Sequence, residues 1–179
     1  MDLFADQGFR ATSITQIESA AGLTPGAGGI YHHFKTKNAL LEAGVDRQLQ
    51  RLSALRDIRA MFSGLGDLRI QLTLVARYGL AELDREQSFV RIIATESRSH
   101  PALMRRASEQ LIERTFRGFS DWLAAEAGVS SDRAESLSAV ALGSLLSHRL
   151  LTSLQITENS LVSDERFIVT WVDLLAHAL

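Results

Sequence analysis

The feature that most constrains the fold is the scarcity of helix breakers: only two prolines, Pro25 and Pro101, occur in 179 residues. Proline lacks a backbone donor and clashes with the preceding turn inside a helix, so its absence leaves long stretches free to be helical. Runs with the period-two alternation of strands are missing from the sequence. Apolar residues recur instead at helical spacing, as Leu41, Val45 and Leu49 do. The sequence therefore predicts an all-α fold.

Composition then limits the classes of protein to consider. With 46% hydrophobic and 22% charged residues, the chain is apolar enough to form a core and too apolar to be disordered. No uncharged apolar run approaches the roughly 18 to 20 residues that a membrane span needs, so we expect a soluble protein. The absence of cysteine excludes disulfides, thiol catalysis and Cys-ligated metal sites. No secretory signal pattern is visible, and a cytoplasmic protein is expected.

The N-terminal part predicts short helices. Met1–Gly8 is typical of the end of a helix that breaks at its final glycine, and we expect the natural chain to start upstream, with this first helix truncated. Ser13 and Gln16 form a capping-box pattern that opens a second short helix. Thr24 and Pro25 are typical of a helix start, so another helix is predicted from Pro25 onward.

The rest of the chain predicts longer helices. Thr36 caps one that reaches about Met61, and Gly64–Gly66 then breaks the chain. Further helices are predicted to begin near Asp67, Gln87, Pro101, Ser130 and Ser163. This uneven layout predicts a small head, residues 1–44, on a larger helical body, residues 45–179.

A helix, a glycine-containing turn and a second helix within about 20 residues are typical of a helix-turn-helix. The residues that carry this pattern are Leu3-Phe4, Gly8-Phe9, Thr12-Ser13-Ile14, Ile17, Ala21-Gly22, Gly26, Ile30-Tyr31-His32-His33-Phe34, Lys37 and Leu40. As a set they resemble the DNA-binding domain of the TetR (tetracycline-repressor-like) family of bacterial transcription regulators. The resemblance covers Leu3–Leu41, and beyond Gly44 it extends only to the general layout. It implies a three-helix head on a ligand-binding and dimerisation body.

Besides the truncated first helix, the sequence departs from the family pattern at two places. Glu18 stands where the family usually has alanine, and we expect it either to be exposed or to pair with a basic neighbour. The stretch Ala27-Gly28-Gly29 makes the turn two residues longer than usual. These glycines can serve a groove-facing surface or simply provide backbone freedom.

Charge alone does not predict a nucleic-acid partner, because Met1–Gln50 carries four cations and five anions. The resemblance implies double-stranded DNA as partner, with a palindromic operator. It implies phosphate contacts from Tyr31, His33 and Lys37, and from Ser13 or Thr12. Base-facing candidates are Thr24, Ala27, Gly28, Gly29 and His32. Adjacent histidines on a helix point about 100° apart, so shared metal binding by His32 and His33 is not expected.

The last two helices predict a second copy of the chain as partner. Apolar residues cover most of the circumference of both Leu137–Ile156 and Phe167–Leu179. A helix that is apolar all round must be buried all round, which a small chain cannot achieve for both. We therefore expect a homodimer in which these helices form a four-helix bundle with their twofold mates.

The resemblance also implies a small-molecule pocket among the middle helices of the body. Candidate lining residues are Arg77, Tyr78, Phe89, Phe116, Phe119, Trp122 and His148, for each of which core packing or a surface ion pair is the alternative.

These observations favour a DNA-binding transcriptional regulator, a repressor that a small-molecule effector releases from DNA. The alternatives are a helical small-molecule-binding or carrier protein, and a dimerisation module. The sequence contains no His-Glu-x-x-His pattern and no phosphate loop, so we expect no enzyme, no cofactor and no metal.

Overall fold

The computed structural model describes residues 1–54, 67–154 and 156–179, and within them it is all-helical. The helices are α1 (Asp2–Ala11), α2 (Ile14–Ala20), a 3₁₀ helix (Gly29–His32), α3 (Lys37–Ala54), α4 (Leu68–Arg85), α5 (Gln87–Glu96), α6 (Pro101–Ala127), α7 (Ser131–Ser153) and α8 (Asp164–Ala178). The all-α prediction is confirmed. The predicted end of a helix near Met61 and the break at Gly64–Gly66 lie outside the described residues.

Side-chain caps explain where several helices begin. The Ser13 hydroxyl accepts from Gln16 N at 3.1 Å and Ser13 N donates to Gln16 Oε1 at 2.7 Å, which confirms the capping box. Thr36 Oγ1 accepts from Ala39 N at 3.0 Å before α3. Asp67 Oδ1 accepts from Ile70 N at 2.9 Å before α4. Each cap satisfies an amide that has no partner within its own helix.

Of two predicted boundaries in the N-terminal region, one is confirmed in part and one is wrong. The helical conformation breaks at Gly8 as predicted, with φ 79° and ψ 161°, but helical residues resume after this kink and α1 continues to Ala11. No helix starts at Pro25; Ala27 N instead donates to Thr24 O at 3.2 Å in a turn. Gly28 takes the left-handed conformation, with φ 72°, and so keeps an α-helix from forming through the turn. The helical segment consequently starts only at Gly29.

The chain divides into two units by its internal contacts. Unit 1 comprises Met1–Leu52 and Ser88–Gln110. Its most deeply buried apolar side chains include Leu41, Val45 and Ile92. The predicted boundary at residue 44 describes a functional division and stays a prediction.

Unit 2 comprises Ser53–Gln87 and Leu111–Leu179, and in its described part α4 packs against α7 and α8. The core of this unit is aliphatic and aromatic, and it includes Leu72, Phe119, Leu123, Trp171 and Leu175. None of the described helices is both long enough and apolar enough to span a bilayer.

Candidate nucleic-acid interface

The turn between α2 and the 3₁₀ helix is anchored by a buried carboxylate. Glu18, in α2, is 0% exposed, and its Oε2 accepts from Gly26 N at 2.7 Å. Its Oε1 lies 3.4 Å from Ile30 N in a weaker contact. The expectation that Glu18 would be exposed or would pair with a basic neighbour is therefore wrong: backbone amides of the turn stabilise the carboxylate.

Most of the residues proposed to contact DNA lie at the surface of this turn and the segment after it. Tyr31 is 52% exposed, and Tyr31 N donates to Gly28 O at 3.0 Å. The other exposed candidates are Ser13, Thr24, Ala27, His32 and His33, while Gly28 and Gly29 are half-buried. The structure thus places eight of the ten candidates where a partner can reach them.

Thr12 is not one of these accessible residues, and its assignment as a phosphate contact is corrected. The side chain is fully buried, and its Oγ1 lies 2.8 Å from Gly8 O and 3.0 Å from Leu3 O. The hydroxyl therefore holds the kink of α1. The sequence could not distinguish it from Ser13, because either hydroxyl can precede a helix.

Lys37 also points toward the protein backbone. Its Nζ donates to Phe9 O at 2.7 Å and to Thr12 O at 2.8 Å, and it lies 4.3 Å above the centre of the Phe9 ring. These carbonyls belong to the C-terminal end of α1, where a cation is electrostatically favourable. We therefore reinterpret Lys37 as a residue that fastens α1 to α3 and not as a phosphate contact.

The kink of α1 has a second anchor that the sequence did not indicate. Glu96 Oε1, at the end of α5, accepts from Phe9 N at 2.8 Å. The Phe9 ring meets the His100 ring edge-on at 4.4 Å. Because Gly8 interrupts the helical bonding of α1, the Phe9 amide needs an acceptor from elsewhere in unit 1. The two partners lie 87 residues apart in sequence.

The residues proposed to line an effector pocket lie in different surroundings, and their role stays a prediction. Phe119 stacks on Trp122 at 5.5 Å between ring centres, and both belong to the core of unit 2. Arg77 is exposed, 3.9 Å from Glu165. The remaining candidates are also dispersed: Tyr78 and Phe116 are half-buried, Phe89 is buried in unit 1, and His148 stacks on Phe167 at 4.1 Å.

An open depression of about 620 Å³ in unit 2 is centred elsewhere, on Arg149, and none of the seven candidates lines it. The buried Arg149 side chain donates from Nε to Asp84 Oδ1 at 2.7 Å and from Nη2 to Asp164 Oδ2 at 2.5 Å. The hydrogen bond to Asp164 raises the pKa of Arg149, and the same bond lowers the pKa of Asp164 from its usual 3.8. The sequence signal for this cluster is Arg149 itself, a charged residue in the leucine-rich C-terminal half of α7.

Comparison with known proteins finds relatives of the N-terminal region. Residues 1–43 match the family profile described as bacterial regulatory proteins, tetR family. This segment is therefore similar to the DNA-binding domain of that family. The chain is also 44% identical over 52 residues to the transposon Tn10 TetC protein of Escherichia coli. That match covers 29% of this chain and spans only a quarter, 25%, of the length of TetC.

Two solved structures share the fold over nearly the whole chain. A transcriptional regulator of the TerR/AcrR family from Aquifex aeolicus VF5 superposes with a TM-score of 0.69 and 21% identity, covering 99% of this chain and 93% of that one. A TetR/AcrR-family regulator from Thermobifida fusca YX-ER1 gives a TM-score of 0.57 at 21% identity, covering 97% and 90%. At this identity the likeness concerns the fold alone. The resemblance drawn from the sequence is confirmed.

Proposed function

We propose that this protein is a sequence-specific DNA-binding transcriptional regulator, and not an enzyme. The observation that carries the proposal is the TetR-like domain, whose long turn and 3₁₀ helix expose Tyr31, His32 and His33 on one short segment. Because the head has no excess of cations, binding depends on placed donors rather than on bulk charge. The cytoplasmic location expected from the sequence stays a prediction.

The chemistry of the exposed side chains predicts which of them contact phosphates and which contact bases. The Tyr31 phenol, the His33 ring and the Ser13 hydroxyl can donate to phosphate oxygens. Thr24 and His32 can hydrogen-bond base edges, and the methyl group of Ala27 can contact thymine. The small residues Gly28 and Gly29 would allow close approach of the turn to the groove.

Recognition of a palindrome requires two heads, and we propose a homodimer through α7 and α8. Each of these helices buries one face in unit 2 and leaves apolar side chains on the other. Val140 is 69% exposed and Leu174 is 68% exposed. Apolar groups in such number on neighbouring helices are typical of an interface between copies.

The dimer proposal is tested by placing charge on that surface. Val140→Glu and Leu174→Glu should each turn a dimer into a monomer in sedimentation velocity at micromolar concentration, and should weaken binding to a palindromic duplex. Ile112→Glu, on an equally exposed residue of α6 (61%), is the matched control and should leave the dimer intact. A monomeric parent protein would refute the proposal.

We further propose that a small-molecule effector binds in unit 2 and releases the protein from DNA, which makes it a repressor. Support comes from buried polar atoms of unit 2 that have no hydrogen-bond partner among the described residues: Gln71 Oε1, Trp122 Nε1 and Ser138 Oγ. Such groups in an apolar surrounding are the kind that orient a ligand. An effector shifts the equilibrium only as far as it prefers the state that does not bind DNA; a 10⁴-fold preference corresponds to roughly 5.5 kcal/mol.

The decisive experiment is selection of genomic DNA fragments by the purified protein, followed by anisotropy titration of the selected duplex and a scrambled duplex of equal length. We expect a large preference for the selected duplex and a log–log salt slope near −0.9 per phosphate neutralised by a cation. Tyr31→Phe removes one uncharged phosphate donor, so it should weaken binding to both duplexes by a similar factor and leave the slope unchanged. Equal affinity for both duplexes would refute the DNA-binding proposal and favour a carrier protein.

A further inference from the structure

Among the described residues the buried carboxylate of Glu18 has no counter-charge, and its hydrogen bonds to Gly26 and Ile30 lie in the segment proposed to meet DNA. Across residues 1–54, 67–154 and 156–179, no cationic side chain lies within ion-pair distance of it. A buried carboxylate is costly unless hydrogen bonds stabilise it. The amides of Gly26 and Ile30 provide those bonds.

These two amides lie at the two ends of the glycine-rich segment Gly26–Ile30. Gly26 has φ 81°, and Ile30 lies in the first turn of the 3₁₀ helix. One side chain of α2 therefore fixes both ends of a segment that contains three glycines and would otherwise sample many conformations. Its Oε2 contact with Gly26 is the shorter of the two, at 2.7 Å against 3.4 Å.

The same bonds decide what the turn can offer to DNA. The N–H groups of Gly26 and Ile30 donate inward to Glu18, so neither can donate to a base or a phosphate. The exposed side chains in and beside the turn include those of Thr24, Ala27 and His32, the three candidates for base contacts. Base readout there requires these side chains to be held at a fixed spacing.

We infer that Glu18 is a positioning residue for DNA recognition: its carboxylate locks the turn in the conformation that presents Thr24, Ala27 and His32 together to the base edges. Ala27 lies inside the Gly26–Ile30 segment, and Thr24 and His32 lie two residues beyond its ends, so the lock sets the spacing of all three. The phosphate-binding candidate Tyr31 adjoins the same segment, so general affinity falls too, and the effect specific to base readout is a loss of sequence discrimination. The inference rests on the proposed DNA-binding function and assigns a residue that itself touches no base.

The test compares Glu18→Gln and Glu18→Ala with the control Ser19→Ala, an exposed neighbour on α2. The readout is the ratio of affinities for the selected and the scrambled duplex. We expect Glu18→Ala to lower this ratio about tenfold or more, the loss of one good base contact. Glu18→Gln keeps one acceptor oxygen and should lie between Glu18→Ala and the parent. Removing a negative charge strengthens binding to both duplexes alike, so it leaves the ratio unchanged.

Amide hydrogen exchange by NMR provides a readout without DNA. The Gly26 amide should be protected in the parent protein and should exchange at least about tenfold faster in Glu18→Ala and Glu18→Gln, while the Val45 amide in α3 stays protected in both. Should Glu18→Ala fail to fold, Glu18→Gln decides both measurements.

An unchanged affinity ratio in a folded Glu18 variant, or an unchanged Gly26 exchange rate, would overturn the inference. A parent protein that does not discriminate between the duplexes would instead refute the proposed function. The exchange experiment would then still report whether Glu18 anchors the turn.

Discussion

The two units are stabilised by different kinds of contact. In the N-terminal part of unit 1, side chains bind backbone groups of other elements. Glu18 accepts from Gly26 N, Lys37 donates to Phe9 O, and Glu96 accepts from Phe9 N. In unit 2, long helices pack through a core in which Phe119 stacks on Trp122 and lies 6.2 Å from Trp171.

The difference follows from helix length. A long helix satisfies most of its own amides and carbonyls, so only its apolar face needs a partner. Short helices, kinks and turns leave a larger share of these groups unpaired, and side chains must supply the missing bonds. A helix-turn-helix head is mostly ends and turns, which explains its dependence on a few polar side chains.

The largest expected effect is the loss of an aromatic ring from the core of unit 2. Phe119 is fully buried, and Phe119→Ala should lower the free energy of unfolding by about 4 kcal/mol, because the ring's burial is lost and a cavity remains. Urea denaturation followed by circular dichroism measures the change. Ile112→Ala, at an exposed position of the same helix, should change it by less than about 0.5 kcal/mol. Equal losses of unfolding free energy in the two variants would show that burial of Phe119 does not stabilise unit 2 as predicted.

Sequence patterns predicted the long helices well because periodicity and caps report directly on such elements. Asp67, Ser130 and Ser163 were each expected near a helix start, and each is the residue immediately before its helix. The same reasoning failed at Thr24-Pro25, whose helix-start pattern is local and cannot reveal that a distant glutamate holds the turn in another conformation.

The candidate interface was predictable as a segment but not residue by residue. Thr12 and Ser13 are chemically alike and adjacent, yet one is buried and the other exposed. The orientation of Lys37 depends on where α1 ends, and the contact between Glu96 and Phe9 joins residues 87 positions apart. Tertiary packing decides the burial, orientation and contacts of these side chains, and they cannot be read from a single sequence.

The second prediction concerns a polar cluster in unit 2, in which Arg149 lies between Asp84 and Asp164. Arg149→Met removes the cation between Asp84 and Asp164 and leaves two carboxylates facing each other. Both carboxylates are partly exposed, so we expect a loss of about 2 kcal/mol of unfolding free energy, below the range for fully buried pairs. Arg133→Met, an exposed residue of the same helix, is the control. An unchanged stability in Arg149→Met would mean that unit 2 depends on apolar packing alone.

The third prediction tests whether Lys37 holds α1 against α3 or contacts a DNA phosphate. Lys37→Met keeps much of the side-chain volume but removes the donor to Phe9 O and Thr12 O, and should lower the free energy of unfolding by about 1 to 2 kcal/mol. The salt slope of DNA binding should stay the same, because the ammonium group is committed to these carbonyls. Lys35→Met, at an exposed position nearby, is the control for stability. A slope that becomes shallower by about one unit in Lys37→Met would restore its role as a phosphate contact.

The smallest expected effect is a pH dependence that originates in unit 2. The hydrogen bond from Arg149 lowers the pKa of Asp164 in the folded protein below its usual 3.8, with a smaller contribution from His148. Asp164 therefore binds protons more readily when the chain is unfolded, and its stabilising contribution is present above about pH 4 and is lost as the pH falls through the folded-state pKa. The difference in unfolding free energy between the parent and Asp164→Asn should be constant near neutrality and shrink below pH 4. Asp121→Asn, at an exposed position of α6, is the matched control for the removal of one carboxylate. A pH-independent difference for Asp164→Asn would mean that its bond to Arg149 does not depend on the charge of the carboxylate.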